Sequence, residues 1–319
     1  MGRVFIDGFE SGSLDLWDAV SGATVSSGIS GADGTYCLNC ASAYANASKT
    51  LPAASEYYLA FILRINSVND AAIMRFFNGA TLLGYIQFSS AKLQVFRGPN
   101  TALATGTTVF NSYTAHLIEI HYKPDASSGV FQVKVDGILE IDFSGQTAPS
   151  TLQINSIFFG TDGGNWSHYF DNIIVDDAAW IGNTRIQAIQ VNGPGAFSQF
   201  TPSAGANWQN VDEIPYSETD YNETDVSAKV DTFAHAALSG SPASVKCVQV
   251  QARAKLIGNP TPTNLQLVVN SGGTAYFSGS KALASVSKGV CSLWATDPAT
   301  GQPWTVAGVN AAEIGYKSV

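Results

Sequence analysis

From residue 56 to residue 177 the chain is written in short apolar runs, each closed by Gly, Asn or Asp. "EYYLAFILRINS" (56–67) and "AAIMRFFNG" (71–79) flank a polar "VND" turn. "TLLGYIQFSS", "AKLQVFRG", "YTAHLIEIHYKP", "GVFQVKVDG", "ILEIDFSG", "INSIFFGTD" and "HYFDNIIVDD" follow in order. A strand turns successive side chains to opposite faces, so runs of this kind spaced by about 10–15 residues predict a two-sheet sandwich. The Asp136–Gly137 pair marks a tight hairpin between "VFQVKV" and "ILEIDF". No helix beyond a turn or two is required.

The pattern changes near residue 181. "TRIQAIQV" predicts a strand that ends at a Gly-Pro-Gly turn. Residues 207–229, "NWQNVDEIPYSETDYNETDVSAK", are polar, acidic and poor in apolar residues, which predicts a long surface loop or a clamp around a partner. Strand-like runs then resume with "DTFAHAAL", "SVKCVQVQARAKLI", "NLQLVVNSG", "GTAYFSG" and "VCSLWATD". The expected organisation is all-β: residues 1–180 form one sandwich and residues 181–319 a second β-rich domain.

Composition narrows the function classes. The 319 residues are 45% hydrophobic and only 13% charged, about half the usual charged share. Such a chain buries a large core. Its formal net charge of −9 opposes binding to a phosphate backbone, so no nucleic-acid partner is expected. No apolar run is long enough for a transmembrane helix. "MGRVFIDGFESG" lacks the basic-then-apolar order of a signal peptide, and Ile6 breaks the myristoylation pattern. The expectation is a protein made in the cytosol that leaves, if it does, by a route other than secretion.

The four cysteines give no metal or redox motif. Cys37 and Cys40 form a Cys-x-x-Cys without a second pair at zinc spacing and without a βαβ context. In an extended strand their Cα atoms lie ~10 Å apart, too far for a disulfide. Cys247 and Cys291 occupy separate strand-like runs that could be neighbours, with a reduced pair as the default in a reducing compartment.

"VFIDGFESGSLDLWDAV" at the start of the first domain, "HYFDNIIVDD" at its close and the hairpin "GVFQVKVDGILEIDFSG" resemble a laminin-G-like, concanavalin-like jelly roll over roughly residues 3–177. That resemblance implies first and last strands side by side. In the second domain "NWQNVDE", "KCVQVQARAK" and "TDPATGQPWTVAGVNAAEIGYKSV", with Trp304 and the Asp-Pro-x-Thr-Gly turn, resemble a module at the C-terminus of bacteriophage particle proteins. It implies a structural role, no catalytic residues and no cofactor.

Several constellations compete with that reading. Glu140 and Asp142 stand one residue apart in "ILEIDF", and period 2 places both on one face. The concanavalin-like glucanases carry three acids on such a strand, but here Ser144 and Gly145 stand where the third is needed. The acids are expected to face water, with Leu139, Ile141 and Phe143 facing the core, so that replacing either acid costs less than about 0.5 kcal/mol. His116 and His121 differ by an odd number of positions and point to opposite faces, against a metal site. No Gly-x-Ser-x-Gly elbow and no phosphate loop is present. Asp7, Glu10 and Asp171 could meet at adjoining strand ends and hold Ca²⁺, or they are turn and edge residues. The loop "GTDGGNWSHYFD" offers the best glycan candidates, Asp162, Asn165, Trp166 and Tyr169, because aromatic faces stack on sugar rings beside polar acceptors. Trp166 could equally plug the sandwich end.

The expected function is therefore a non-enzymatic virion structural protein, assembled in the host cytoplasm, as a head decoration, short fibre or tail-associated part. Its jelly roll is displayed and residues 181–319 anchor it to other virion proteins as a homo-oligomer, a trimer if built like common phage fibres. The alternative is a carbohydrate-binding adhesin that recognises host surface glycans.

Overall fold

In the computed structural model, residues 2–29, 34–67, 70–161, 163, 167–258 and 262–319 are described. The chain divides into two compact units, Met1–Ile186 and Gln187–Val319.

Among the described residues the first unit contains fifteen strands: β1 (Arg3–Asp7), β2 (Ala19–Ser21), β3 (Thr24–Ser27), β4 (Tyr36–Cys40), β5 (Asn46–Ala54), β6 (Tyr57–Ile65), β7 (Ala72–Asn78), β8 (Thr81–Ser89), β9 (Lys92–Arg97), β10 (Thr101–Thr105), β11 (Ala115–Lys123), β12 (Gly129–Val135), β13 (Ile138–Gly145), β14 (Ile154–Gly160) and β15 (His168–Asp176). One sheet runs β13-β12-β11-β6-β15-β4-β3, and β1 shares with β4 the free edge of β15. The facing sheet runs β10-β9-β8-β7-β14-β5-β2. All named pairings are antiparallel, and the unit is a jelly-roll sandwich. The first and last strands do lie side by side, with Phe5 opposite Val175 and Ile6 opposite Ile174.

Alternation explains how the sheets close on each other. In β6, Leu59, Phe61, Leu63 and Ile65 are fully buried, whereas Tyr58, Ile62 and Arg64 on the other face are only partly so. The inward rings interlock across the gap. Phe61 of one sheet meets Phe159 of the other edge to face at 5.1 Å, and Phe76 meets Tyr122 at 4.5 Å. Edge-to-face and tilted pairs of this kind add to the area they bury. Asp136 and Gly137 both take positive φ (52° and 83°), the geometry that a two-residue hairpin requires.

In the second unit a sheet orders the strands Val191–Ser198, Val230–His235, Glu313–Ser318, Asn264–Ser271 and Thr274–Phe277. Val248–Ala254 and Lys288–Trp294 form a separate hairpin ladder. Leu267, Val269, Trp304 and Val309 centre the core, and Trp304 donates its indole N–H to the Trp294 carbonyl at 2.9 Å. The single α-helix among the described residues, Val306–Ala311, starts where the Thr305 side chain accepts from Gly308 N.

Two expectations fail here. "TRIQAIQV" is not a strand, and the Gly-Pro-Gly is not a turn: strand Val191–Ser198 runs through it. That strand lies on the sheet edge with register shifts either side of Pro194, where a missing N–H breaks no inner ladder. Gly195 is required because a Cβ there would collide with the Thr232 backbone. The polar stretch 207–229 also folds back on its own unit. Asn207 donates to Asp231 at 2.6 Å, Asn222 donates to the Tyr316 hydroxyl at 2.7 Å, and Arg253 pairs with Glu218 and stacks on Tyr216.

Candidate functional site

The face of the larger sheet that points away from the core carries two adjoining groups of residues. The first is covered by the chain itself. Ala60, Glu119 and Ile174 line up across β6, β11 and β15, and all are almost fully buried although they face outward. Residues 177–186 lie over them as a strap. Gly182 N donates to Glu119 Oε1 at 2.8 Å, and Ile186 N donates to Asn172 Oδ1 at 3.0 Å. Trp180 packs edge to face on Tyr58 (5.7 Å) and on His121 (6.0 Å), with the Lys134 ammonium 3.8 Å from its ring centre. Beneath it His121 stacks on Tyr58, and its two ring nitrogens reach Glu56 Oε2 (2.6 Å) and Gln132 Oε1 (3.1 Å). This half of the face is closed.

The second group lies one row further along and is open. Arg64 is the one charged residue within β6 and stands at one of its outward positions, and the register sets Ala115 on one side and Tyr169 on the other. Asn39 follows Tyr169 on β4. The guanidinium carbon sits 5.4 Å from the Tyr169 ring centre and 5.3 Å from that of Tyr113, so it is held between two aromatic faces. Arg64 Nη1 donates to Asn66 Oδ1, and Asn66 Nδ2 donates to the Tyr169 hydroxyl, both at 3.2 Å. Arg64 Nε is buried without an acceptor, as is Asn39 Oδ1 without a donor. Tyr113 is 63% exposed. It holds a left-handed φ of 67°, costly for a tyrosine, while its N–H donates to Ile65 O at 2.7 Å. Polar atoms and stacking faces therefore meet at one outward patch.

Of the glycan candidates read from the sequence, Tyr169 stands in this cradle, whereas Asp162, Asn165 and Trp166 lie outside the described residues. Arg64, Asn66 and Tyr113 were missed. The signal was present: a lone arginine in an apolar strand needs a reason to be there.

The acids Glu140 and Asp142 do not form a pair on one face. A bulge sets Lys134 opposite Leu139 and Val133 opposite Ile141, which leaves Glu140 as the extra residue. Leu139 is consequently 46% exposed rather than in the core. Asp142 accepts from Gln132 Nε2 at 2.7 Å. Glu140 turns away to the loop after β10 and accepts from N and Oγ1 of both Thr107 and Thr108, at 2.6–3.0 Å. Those bonds draw its carboxyl down to about 2. It is a clamp, and the expectation that its loss costs almost nothing does not fit four hydrogen bonds.

The acids considered for Ca²⁺ are spent on separate tasks. Asp7 accepts from Phe9 N and Trp17 Nε1. Glu10 accepts from the N–H groups of Thr35 and Tyr36. Asp171 accepts from Asn172 N on the outward face. Among the described residues no group of three potential ligands converges. His116 bonds Asp136 at 2.7 Å and meets Phe110, on a different face from His121. Cys37 and Cys40 are buried, and burial pushes both thiols up to about 12. Cys291 lies opposite Gln251 and Val248 opposite Trp294, so Cys247 and Cys291 are offset along the ladder; among the described residues no disulfide forms.

No protein-family model matches the chain, and no curated protein matches it in sequence. Among solved structures it is similar to the cellulose-induced protein Cip1, at 17% identity and a TM-score of 0.45 over 56% of this chain and 100% of that one. It is also similar to the carbohydrate-binding module CBM66 from Bacillus subtilis, at 13% identity and a TM-score of 0.34 over 49% of this chain and 96% of that one. A third similarity is to the apo Crh5 transglycosylase, at 12% identity and a TM-score of 0.40 over 55% and 85%. A binding module and an enzyme appear side by side, and function does not transfer across likenesses this remote.

Proposed function

We propose that the first unit is a non-catalytic carbohydrate-binding module, and that it binds through the cradle of Tyr113, Arg64 and Tyr169. The observation that carries this is the open half of the sheet face, where two tyrosine rings and the amide and guanidinium groups between them are offered outward together. Ring faces supply stacking area for the C–H side of a pyranose, and the polar atoms supply hydroxyl partners that fix orientation. The acids that might have made a hydrolase are instead held apart, Glu140 by Thr107 and Thr108. The virion setting, and an anchoring role for residues 181–319 as an oligomer, rest on the C-terminal sequence motifs.

A glycan array probed with the full chain and with Tyr113→Ala tests the reading. Retention of the full chain on a defined saccharide, lost in the variant, supports it. Failure of the full chain to bind any glycan overturns it, and release of reducing sugar from a bound polysaccharide overturns its non-catalytic half.

A further inference from the structure

Resting on the carbohydrate-binding reading, we infer that the cradle selects saccharides that bear a carboxylate, such as uronic or sialic acid units, over neutral ones. Arg64 is placed to be the selecting residue.

The inference comes from how the chain uses its cations. It has 16 Lys and Arg against 25 Asp and Glu, so carboxylates are plentiful and pairing is easy. Arg3 pairs with Asp176, Lys49 with Asp18 and Arg253 with Glu218. Arg64 does not: among the described residues no carboxylate forms an ion pair with it, and its side-chain bond is to the neutral amide of Asn66. Asp171, diagonal to it across the strand pair, is 1% exposed and accepts from its neighbour's N–H. A guanidinium half covered by two rings has lost part of its hydration while keeping its full charge. Its planar fork matches the two oxygens of a carboxylate, which a hydroxyl cannot do. Arg64 Nε is itself buried and has no acceptor among the described residues, so contact with a ligand falls to the terminal guanidinium nitrogens.

The test is calorimetric titration of the full chain with trigalacturonate, a hyaluronan tetrasaccharide and sialyllactose, each beside its carboxyl methyl ester. The expected result is binding of at least one acid, with its ester weaker by about ten-fold or more, the worth of a charge-assisted bidentate pair. Arg64→Gln should erase the preference and leave ester-level binding, while Arg64→Lys should keep part of it. Tyr113→Ala, at an exposed position, should weaken acid and ester alike. Equal affinity for acid and ester, or a preference that survives Arg64→Gln, overturns the inference and leaves carbohydrate binding standing. If neither acidic nor neutral sugars bind, both fall together.

Discussion

Trp17 donates its indole N–H to Asp7 Oδ2 at 2.9 Å inside the jelly-roll core, and the other oxygen of Asp7 accepts from Phe9 N at 2.8 Å. The bond ties the first strand to the loop that follows it, where Trp17 packs on Phe5, Phe9 and Phe159. Burial pushes the Asp7 carboxyl up from 3.8 to about 6, against the opposing pull of these two donors.

A pH dependence follows. The folded state holds this proton more tightly than the unfolded chain does, so the associated stability is present below about pH 4 and is lost as pH rises through about 6. Its size is at most about 3 kcal/mol. Urea unfolding of the wild type and Asp7→Asn at pH 4.5 and 7.5 measures it. The wild type should gain relative to the variant at the lower pH, and a difference independent of pH would contradict the assignment.

Glu140→Ala should destabilise the first unit by about 1–2 kcal/mol, because four donors on Thr107 and Thr108 lose a charged acceptor that solvent partly screens. Asp142→Ala, with one exposed partner, should stay within about 0.5 kcal/mol. Because the folded pKa of Glu140 is lowered, its contribution is present above about pH 4.5 and fades as pH falls towards 2, the opposite sense to Asp7. Equal costs for the two substitutions would show that the clamp is not formed.

The strap should be visible in hydrogen exchange. Gly182 N–H donates to the buried Glu119 carboxylate, so its amide should exchange slowly for a segment without regular structure. Glu119→Gln should speed that exchange about ten-fold or more, and Trp180→Ala should release residues 177–186 together. Fast exchange at Gly182 in the wild type would mean that the strap does not lie down.

Cys37 and Cys40, with thiols at about 12, should resist maleimide at pH 8 in the folded protein and react in urea, since the thiolate is the nucleophile. Rapid labelling of either without denaturant would place β4 elsewhere.

The jelly roll was legible because its strands alternate cleanly and its hairpin uses Asp136–Gly137. Features that arise between strands were not. The bulge at Glu140 depends on how β13 pairs with β12, and no count along one strand shows it. The cradle gathers Asn39, Arg64 and Tyr169 by ladder register and Tyr113 by a loop bond to Ile65 O, from four distant places in the sequence. The Gly-Pro-Gly segment read as a turn because its local chemistry says so, yet an edge position with a close neighbour uses the same residues for another purpose.

The pairing of β1 with β15 has a consequence for how this unit can be carried. Arg3 and Asp176 are cross-strand partners joined by an ion pair at 3.1 Å, and Asp177 N donates to Gly2 O next to them. The start of the first strand and the end of the last therefore meet at one spot, with the strap 177–186 following. A guest domain with that property can be spliced into a surface loop of a host protein without prying the host apart. The same ends could be joined by a short bridge and the chain reopened at the Asp136–Gly137 turn, because the sheet order does not depend on where the backbone is cut.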